Sequence, residues 1–216
     1  FNLFDILEQT IQKIRIIGNQ RQVGRYDREN YVDVPINVEE EMIGKISEIN
    51  PDIIIASDYA KGCLTKNLLL KIKESNPQTK IIIDPKPKNK ENYFGAYIIT
   101  PNLEEAKRIS RLENVKDIGP FLQQKYRCNV LITRGMKGMT LFEEDKMINF
   151  PTQAKEVYDV SGAGDSVVAS FGLSLASGAS LEDSTFLANH VAGIVVGKAG
   201  TATVSKKELG QVVESE

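Results

Sequence analysis

The sequence predicts an α/β domain built on a mostly parallel sheet. Short apolar runs alternate with segments of helical periodicity, each run ends in a polar loop, and an antiparallel pair follows the last of them. "KIRIIGNQRQVGRYD" reads first, as two strands joined at Gly18-Asn19, a dipeptide that tolerates positive φ. "NVEEEMIGKISEI" reads as a helix with Asn37 as N-cap and Glu40 three residues on. "DIIIAS" follows as a buried strand, "TKNLLLKIKES" as a helix, "KIIID" and "AYIIT" as strands, "NLEEAKRIS" as a helix and "NVLIT" as another strand. "MTLFEEDKMINF" adds the antiparallel hairpin. The last third is helical in "DSVVASFGLSLASG", "LEDSTFLANHVAGIVVG" and "SKKELGQVVE". No repeat, low-complexity tract or linker interrupts this order, so residues 1–216 read as one domain.

Composition narrows the function. With 41% hydrophobic and 26% charged residues, a chain of 216 residues can bury a sizeable core. A net charge of -2 and the lack of a long Lys/Arg block argue against a general nucleic-acid or anionic-membrane binder. Any anionic partner is therefore expected to be small. Cys63 and Cys128 are the only cysteines, without a CxxC pair or a His/Cys cluster, so neither a disulfide framework nor a structural zinc is expected. That cysteine usage fits a reducing cytoplasm, and no run of about 18 apolar residues is present.

In such sheets ligands bind beyond the carboxyl ends of the strands. Four of those ends are polar here: "DYAKG" with Asp58, Tyr59 and Lys61; "DPKPK" with Asp84, Lys86 and Lys88; "PNLEE" with Asn102, Glu104 and Glu105; and "RGMKG" with Arg134. Such residues fill ordinary turns too. Their recurrence at four consecutive ends points to one shared crevice.

The stretch "DVSGAGDS" sharpens this reading. It is not a Walker loop, and "GIVVGKAG" lacks both the spacing and the hydroxyl after Lys198 that such a loop needs. It is not a dinucleotide fingerprint either, because Val167 stands where the third glycine belongs. What remains is a run of small residues, Gly162, Ala163 and Gly164, opening a helix. Its amides suit phosphoryl oxygens. Asp165 at the helix start is placed to take a proton from an attacking hydroxyl, a role worth roughly 10²–10⁴ in rate.

"DVSGAGDS", preceded by "TRGMKGM" and "TPNLEEA" and followed by "LANHVAGIVVGKAGT", resembles the ribokinase-like (PfkB) family of carbohydrate kinases, over a span from about Lys13 to Leu209. "SDYAKGCLT", "IDPKPKN" and "VVGKAGTATVSKKEL" resemble its branch that phosphorylates C1 of D-glycero-D-manno-heptose 7-phosphate for lipopolysaccharide core synthesis. The resemblance implies a ribokinase-like α/β fold, ATP and Mg2+ as cosubstrate and cofactor, and a phosphosugar as acceptor. It implies Asp165 as base and Gly162, Ala163 and Gly164 as anion hole. Thr133, Gly135 and Gly138 would follow the nucleotide phosphates and ribose, while Asn189, Gly193 and Gly197 would border adenine. Asn102 and Glu105 would arrange magnesium indirectly, although the same pair has capping-box spacing. Asp159 and Ser161 match positions that hold a monovalent cation in some relatives. Arg25, Asp27, Lys61 and Lys86 are the implied substrate contacts, the first two on a lid hairpin within residues 13–34. The lone His190 receives no role. A homodimer and a fused or separate adenylyltransferase acting on the product are compatible with the family. Family members begin with an acid-bearing strand and a glycine-rich sugar-binding segment. Neither is recognisable before Lys13, so the kinase domain is expected to be N-terminally incomplete, and the alternatives are another sugar or nucleoside kinase or a non-catalytic nucleotide binder.

Overall fold

A computed structural model describes residues 11–18, 21–28, 32–154 and 156–214. The predicted N-terminal hairpin is present as β1 (Gln12–Gly18) and β2 (Arg21–Arg28), antiparallel and kept apart from the main sheet. Asn19, placed in its turn from the sequence, lies outside the described residues.

The main sheet has six strands in chain order: β3 (Ile53–Ser57), β4 (Lys80–Asp84), β5 (Ile98–Ile99), β6 (Asn129–Thr133), β7 (Met139–Glu143) and β8 (Lys146–Phe150). The pairs from β3 to β6 are parallel and those from β6 to β8 antiparallel. Alternation along each strand feeds two cores. Ile81, Ile83, Val130 and Ile132 face α2 (Lys66–Ser75), α3 (Leu103–Ser110) and α4 (Val115–Tyr126). Ile82 and Leu131 face α5 (Ala163–Ala176) and α6 (Leu181–Val196). Helices α1 (Ile36–Ile49) and α7 (Lys206–Glu214) complete the set. Because the parallel strands share one direction, Ser57, Asp84, Thr100 and Thr133 come to the same end of the sheet.

Two expectations are corrected. Asn37 does not cap α1: the N-cap is Pro35, whose fixed φ of −60° and carbonyl start the helix, accepting from Val38 and Glu39. The acid turned inward is Glu39, buried and hydrogen-bonded by Thr65 and Asn67. The strand in "DIIIAS" forms but is not buried, because β3 is an edge strand and Ile55 stays 43% exposed. Helix α4, over "VKDIGPFLQQKY", holds Pro120 in its interior. Asn114 caps it through the Lys116 amide, and a Cβ at Gly119 would sit 2.3 Å from the Phe142 ring. The glycine is there for close helix-sheet contact, and the proline is tolerated inside the helix.

Candidate active site

The turn before α5 sets the geometry. Gly162 caps the helix with φ of 77°, a left-handed conformation that favours glycine, and a Cβ there would meet Thr201 at 2.9 Å. Ala163 N–H closes the turn onto the Val160 carbonyl at 3.2 Å, and Ser166 N–H bonds Gly162 O at 3.0 Å. Ala163 is thus spent within the turn. The amides that helix geometry leaves without an intrahelical acceptor include those of Gly164 and Asp165. Asp165 lies exposed in the first turn, where the helix macrodipole favours its charge.

Two cavities meet at this turn. One, of about 260 Å³, is mostly apolar: Met136, Met139, Val157, Val160 and Val196 form much of its wall, with Gly135, Gly138, Asn189 and Gly193. The other, of about 230 Å³, is polar and holds Tyr59, Asp84, Lys86, Asn102, Glu105 and Asp165. Thr133, Gly164 and Val167 line both. Three of the four polar loops singled out in the sequence thus meet in one crevice with Asp165 in its wall, whereas the fourth, after Thr133, lines the apolar cavity through Gly135, Met136 and Gly138.

Local chemistry holds the polar crevice together. Asn102 and Glu105 form a capping box on α3: Glu105 N–H donates to Asn102 Oδ1 at 2.9 Å, and Asn102 N–H to Glu105 Oε2 at 3.0 Å. The remaining oxygen, Glu105 Oε1, accepts from Lys86 Nζ. Burial disfavours the Lys86 ammonium, but Glu105 and Asp84 outweigh it and hold its pKa above the ordinary value. Asp84 is pushed up to about 6, first by burial; Lys86 offsets part of this, while the charges of Glu105, Asp165 and Asp58 add to it. Behind them, buried Asp58 accepts from Ala60 N–H, Asn89 Nδ2 and Tyr93 OH, so this strand-end acid belongs to the scaffold.

The other expected residues sort by position. Gly138 has φ of 76° and sits against the Phe150 carbonyl, and Gly193 lets α6 approach the backbone at Gln153. Asn189 Nδ2 is committed to Pro151 O at 2.7 Å. Gly197, expected beside adenine, does not line the apolar cavity; it caps the end of α6. Arg134 turns instead to Thr140 and Asn149. Asp159 accepts from Ser161 N–H at 2.8 Å, which lowers its pKa. Arg25 and Asp27 pair with each other on β2 and line neither cavity, nor does Lys61, whose charge nonetheless acts on Asp27. The loop after β3 adjoins the segment that follows the hairpin, where Val34 N–H donates to the Gly62 carbonyl at 2.9 Å. His190 rests on Phe186, ring centroids 4.2 Å apart. The sequence reading missed the apolar wall. Exposed Met136, Val157 and Val160 were its only signal, as apolar residues stranded in loops.

The carboxylates test the fit of magnesium. Among the described residues no cluster of three or more His, Cys, Asp or Glu is arranged to hold a metal. Both oxygens of Glu105 already accept hydrogen bonds. This fits an ion carried by nucleotide phosphates and approached through water, as magnesium is commonly bound. Among the described residues no helix is long and apolar enough to cross a membrane.

Comparison with known proteins identifies the family and the fold. The chain is 37% identical over 212 residues to the bifunctional protein HldE of Sulfurimonas denitrificans, covering 93% of this chain and 44% of that protein. The HldE of Desulfatibacillum aliphaticivorans is 39% identical, with 96% and 45% covered. The chain thus spans less than half the length of these curated relatives. In fold it matches the ribokinase of Thermotoga maritima, with a TM-score of 0.76 at 19% identity, covering 95% of this chain and 70% of that one. It also matches Escherichia coli phosphofructokinase-2, solved in complex with potassium, with a TM-score of 0.72 at 16% identity, covering 89% and 66%. The architecture is therefore the ribokinase-like α/β fold. Residues 41–208 match the model of the pfkB family carbohydrate kinases, and the chain belongs to that family.

Proposed function

We propose that the chain carries the kinase site for ATP-dependent phosphoryl transfer to the anomeric hydroxyl of D-glycero-D-manno-heptose 7-phosphate, giving the 1,7-bisphosphate. The observation that carries this reading is the shared wall: Gly164 lines both the apolar cavity and the polar crevice, and Asp165, the next residue, lines the crevice. The apolar cavity suits a nucleobase and ribose, and the crevice suits a polyhydroxyl acceptor. Asp165 would take the proton of the anomeric hydroxyl as that oxygen attacks the terminal phosphorus of ATP, whose bond to the bridging oxygen breaks so that ADP leaves. The amides at the start of α5 would face the charge that develops on the transferred phosphoryl group. Magnesium would neutralise phosphate charge, with Asn102 and Glu105 holding its water shell. Asp159 and Ser161 would border a monovalent cation.

Heptose 7-phosphate is preferred because the segments "SDYAKGCLT" and "IDPKPKN" resemble that branch and contribute Tyr59, Asp84 and Lys86 to the crevice. Lys61 and Arg25, in the adjoining loop and hairpin, would meet the substrate phosphate. An adenylyltransferase acting on the product, a homodimer and a cytoplasmic location complete the reading. Another sugar or nucleoside kinase is the second reading, since the apolar cavity would serve any of them. The full-length polypeptide should be given ATP with a panel of phosphosugars and nucleosides in a coupled ADP-release assay. Highest kcat/KM on the heptose phosphate supports the proposal. Preference for a nucleoside or another sugar replaces it, and no turnover with any acceptor leaves a nucleotide binder.

A further inference from the structure

We infer that Asp84 is the anchor for the hydroxyls of the acceptor, so that the crevice takes the uncharged polyol end of the sugar and leaves its phosphate outside. The inference rests on the kinase reading above and adds to it a residue and a substrate orientation.

The geometry comes first. Asp84 ends β4, two residues before Lys86, and both line the crevice whose wall holds Asp165. Asp58, the neighbouring strand-end acid, is consumed by three donors. Asp84 is different. Its backbone carbonyl accepts from the Asp58 amide, but Lys86, the one ammonium among the described residues of the crevice wall, gives its hydrogen bond to Glu105. A half-buried carboxylate so placed costs the fold stability, and the upward shift of its pKa shows that Lys86 compensates only in part. Groups held at such a cost in a cleft concentrate at functional sites.

Charge then selects the ligand. Among the described residues the crevice wall carries three carboxylates, Asp84, Glu105 and Asp165, against the single ammonium of Lys86. The acceptor's own phosphate, with neither the α5 amides nor magnesium to offset its charge, would be repelled there. An ionised carboxylate is an acceptor only, so it fits hydroxyl donors, and two oxygens can take two adjacent hydroxyls of a sugar. Such charge-assisted bonds are among the stronger ones.

The test uses the full-length polypeptide, heptose 7-phosphate and its monodeoxy analogues at C2, C3 and C4. Asp84→Asn should raise KM for the heptose phosphate about tenfold to a hundredfold and change KM for ATP less than about twofold, as loss of a charge-assisted bond predicts. Wild type should lose about tenfold or more in kcat/KM on at least one deoxy analogue. Asp84→Asn should lose little further on that analogue, because the partner of the missing hydroxyl is already gone. Equal deoxy penalties in both proteins, or a raised magnesium requirement with unchanged sugar KM, would overturn the anchor. Should Asp84→Asn fail to fold, Asp84→Ser serves in its place. If wild type phosphorylates a different class of acceptor or none, the kinase reading itself fails and the anchor with it.

Discussion

Lys86, just beyond β4, is ion-paired with Glu105, the third residue of α3. Glu105 Oε2 meanwhile closes the capping box on Asn102, so one carboxylate joins a strand end to a helix start. The pair shows how the crevice is built, from local caps fastened across the sheet by single charged contacts.

That pairing predicts a division of labour between two lysines. Lys86 is engaged by Glu105, whereas Lys61 adjoins the hairpin, so Lys61→Met should raise KM for the phosphosugar about tenfold with KM for ATP little changed. Lys86→Met removes the compensation for Glu105 and Asp84 and should lower kcat and melting temperature together. Steady-state kinetics on both substrates checks the split, and equal KM effects from the two variants would place both lysines in one role.

Asp165→Asn should cut kcat by at least about a hundredfold, the cost of a lost base, while nucleotide affinity measured by calorimetry stays within about twofold. Near-normal turnover would remove Asp165 from the proton transfer.

Asp84 makes stability depend on pH in a direction unusual for a carboxylate. Its folded pKa, about 6, lies above the unfolded value of 3.8, so the folded state binds the extra proton in that window. Its cost is absent below about pH 4, grows as pH rises to about 6 and is complete above it. Two units correspond to just under about 3 kcal/mol, which partial exposure to solvent reduces to about 1–2. Asp84→Asn should therefore raise the melting temperature at pH 8 and have little effect at pH 4. Thermal unfolding across that range decides it, and an equal gain at both ends would assign the effect to packing.

Tyr93 is a latch behind the crevice. It is fully buried, its hydroxyl donates to Asp58 at 2.6 Å and accepts from Lys86 N–H at 2.6 Å, and burial with the Asp58 bond raises its pKa strongly. Tyr93→Phe keeps the ring but leaves a buried acid and an amide short of a partner, at a cost of about 1–3 kcal/mol. Denaturant unfolding should show that loss with kcat changed less than about threefold; a stability change below about 0.5 kcal/mol would mean that water replaces the hydroxyl.

By itself the sequence determined what depends on neighbours in the chain: the alternation of strands and helices, the Asn102–Glu105 box, the glycine turn that opens α5, and the polar residues closing four strands. Caps, turns and periodicities are contacts within a few residues, so their chemistry is written in order along the chain. Tertiary structure decided what depends on distant partners. Asn37 lost its cap to Pro35, and Glu39 turned inward because Thr65 and Asn67 lay there to receive it. Position 119, inside α4, holds a glycine because Phe142 occupies the space that a side chain there would need. The same holds for the crevice: Asp58 and Asp84 both follow apolar strands, yet donors from Ala60, Asn89 and Tyr93 made one of them scaffold. Burial beside Glu105 and Asp165 left the other under electrostatic strain and in reach of a ligand, because a carboxylate's role is set by which donors and charges the fold brings to it.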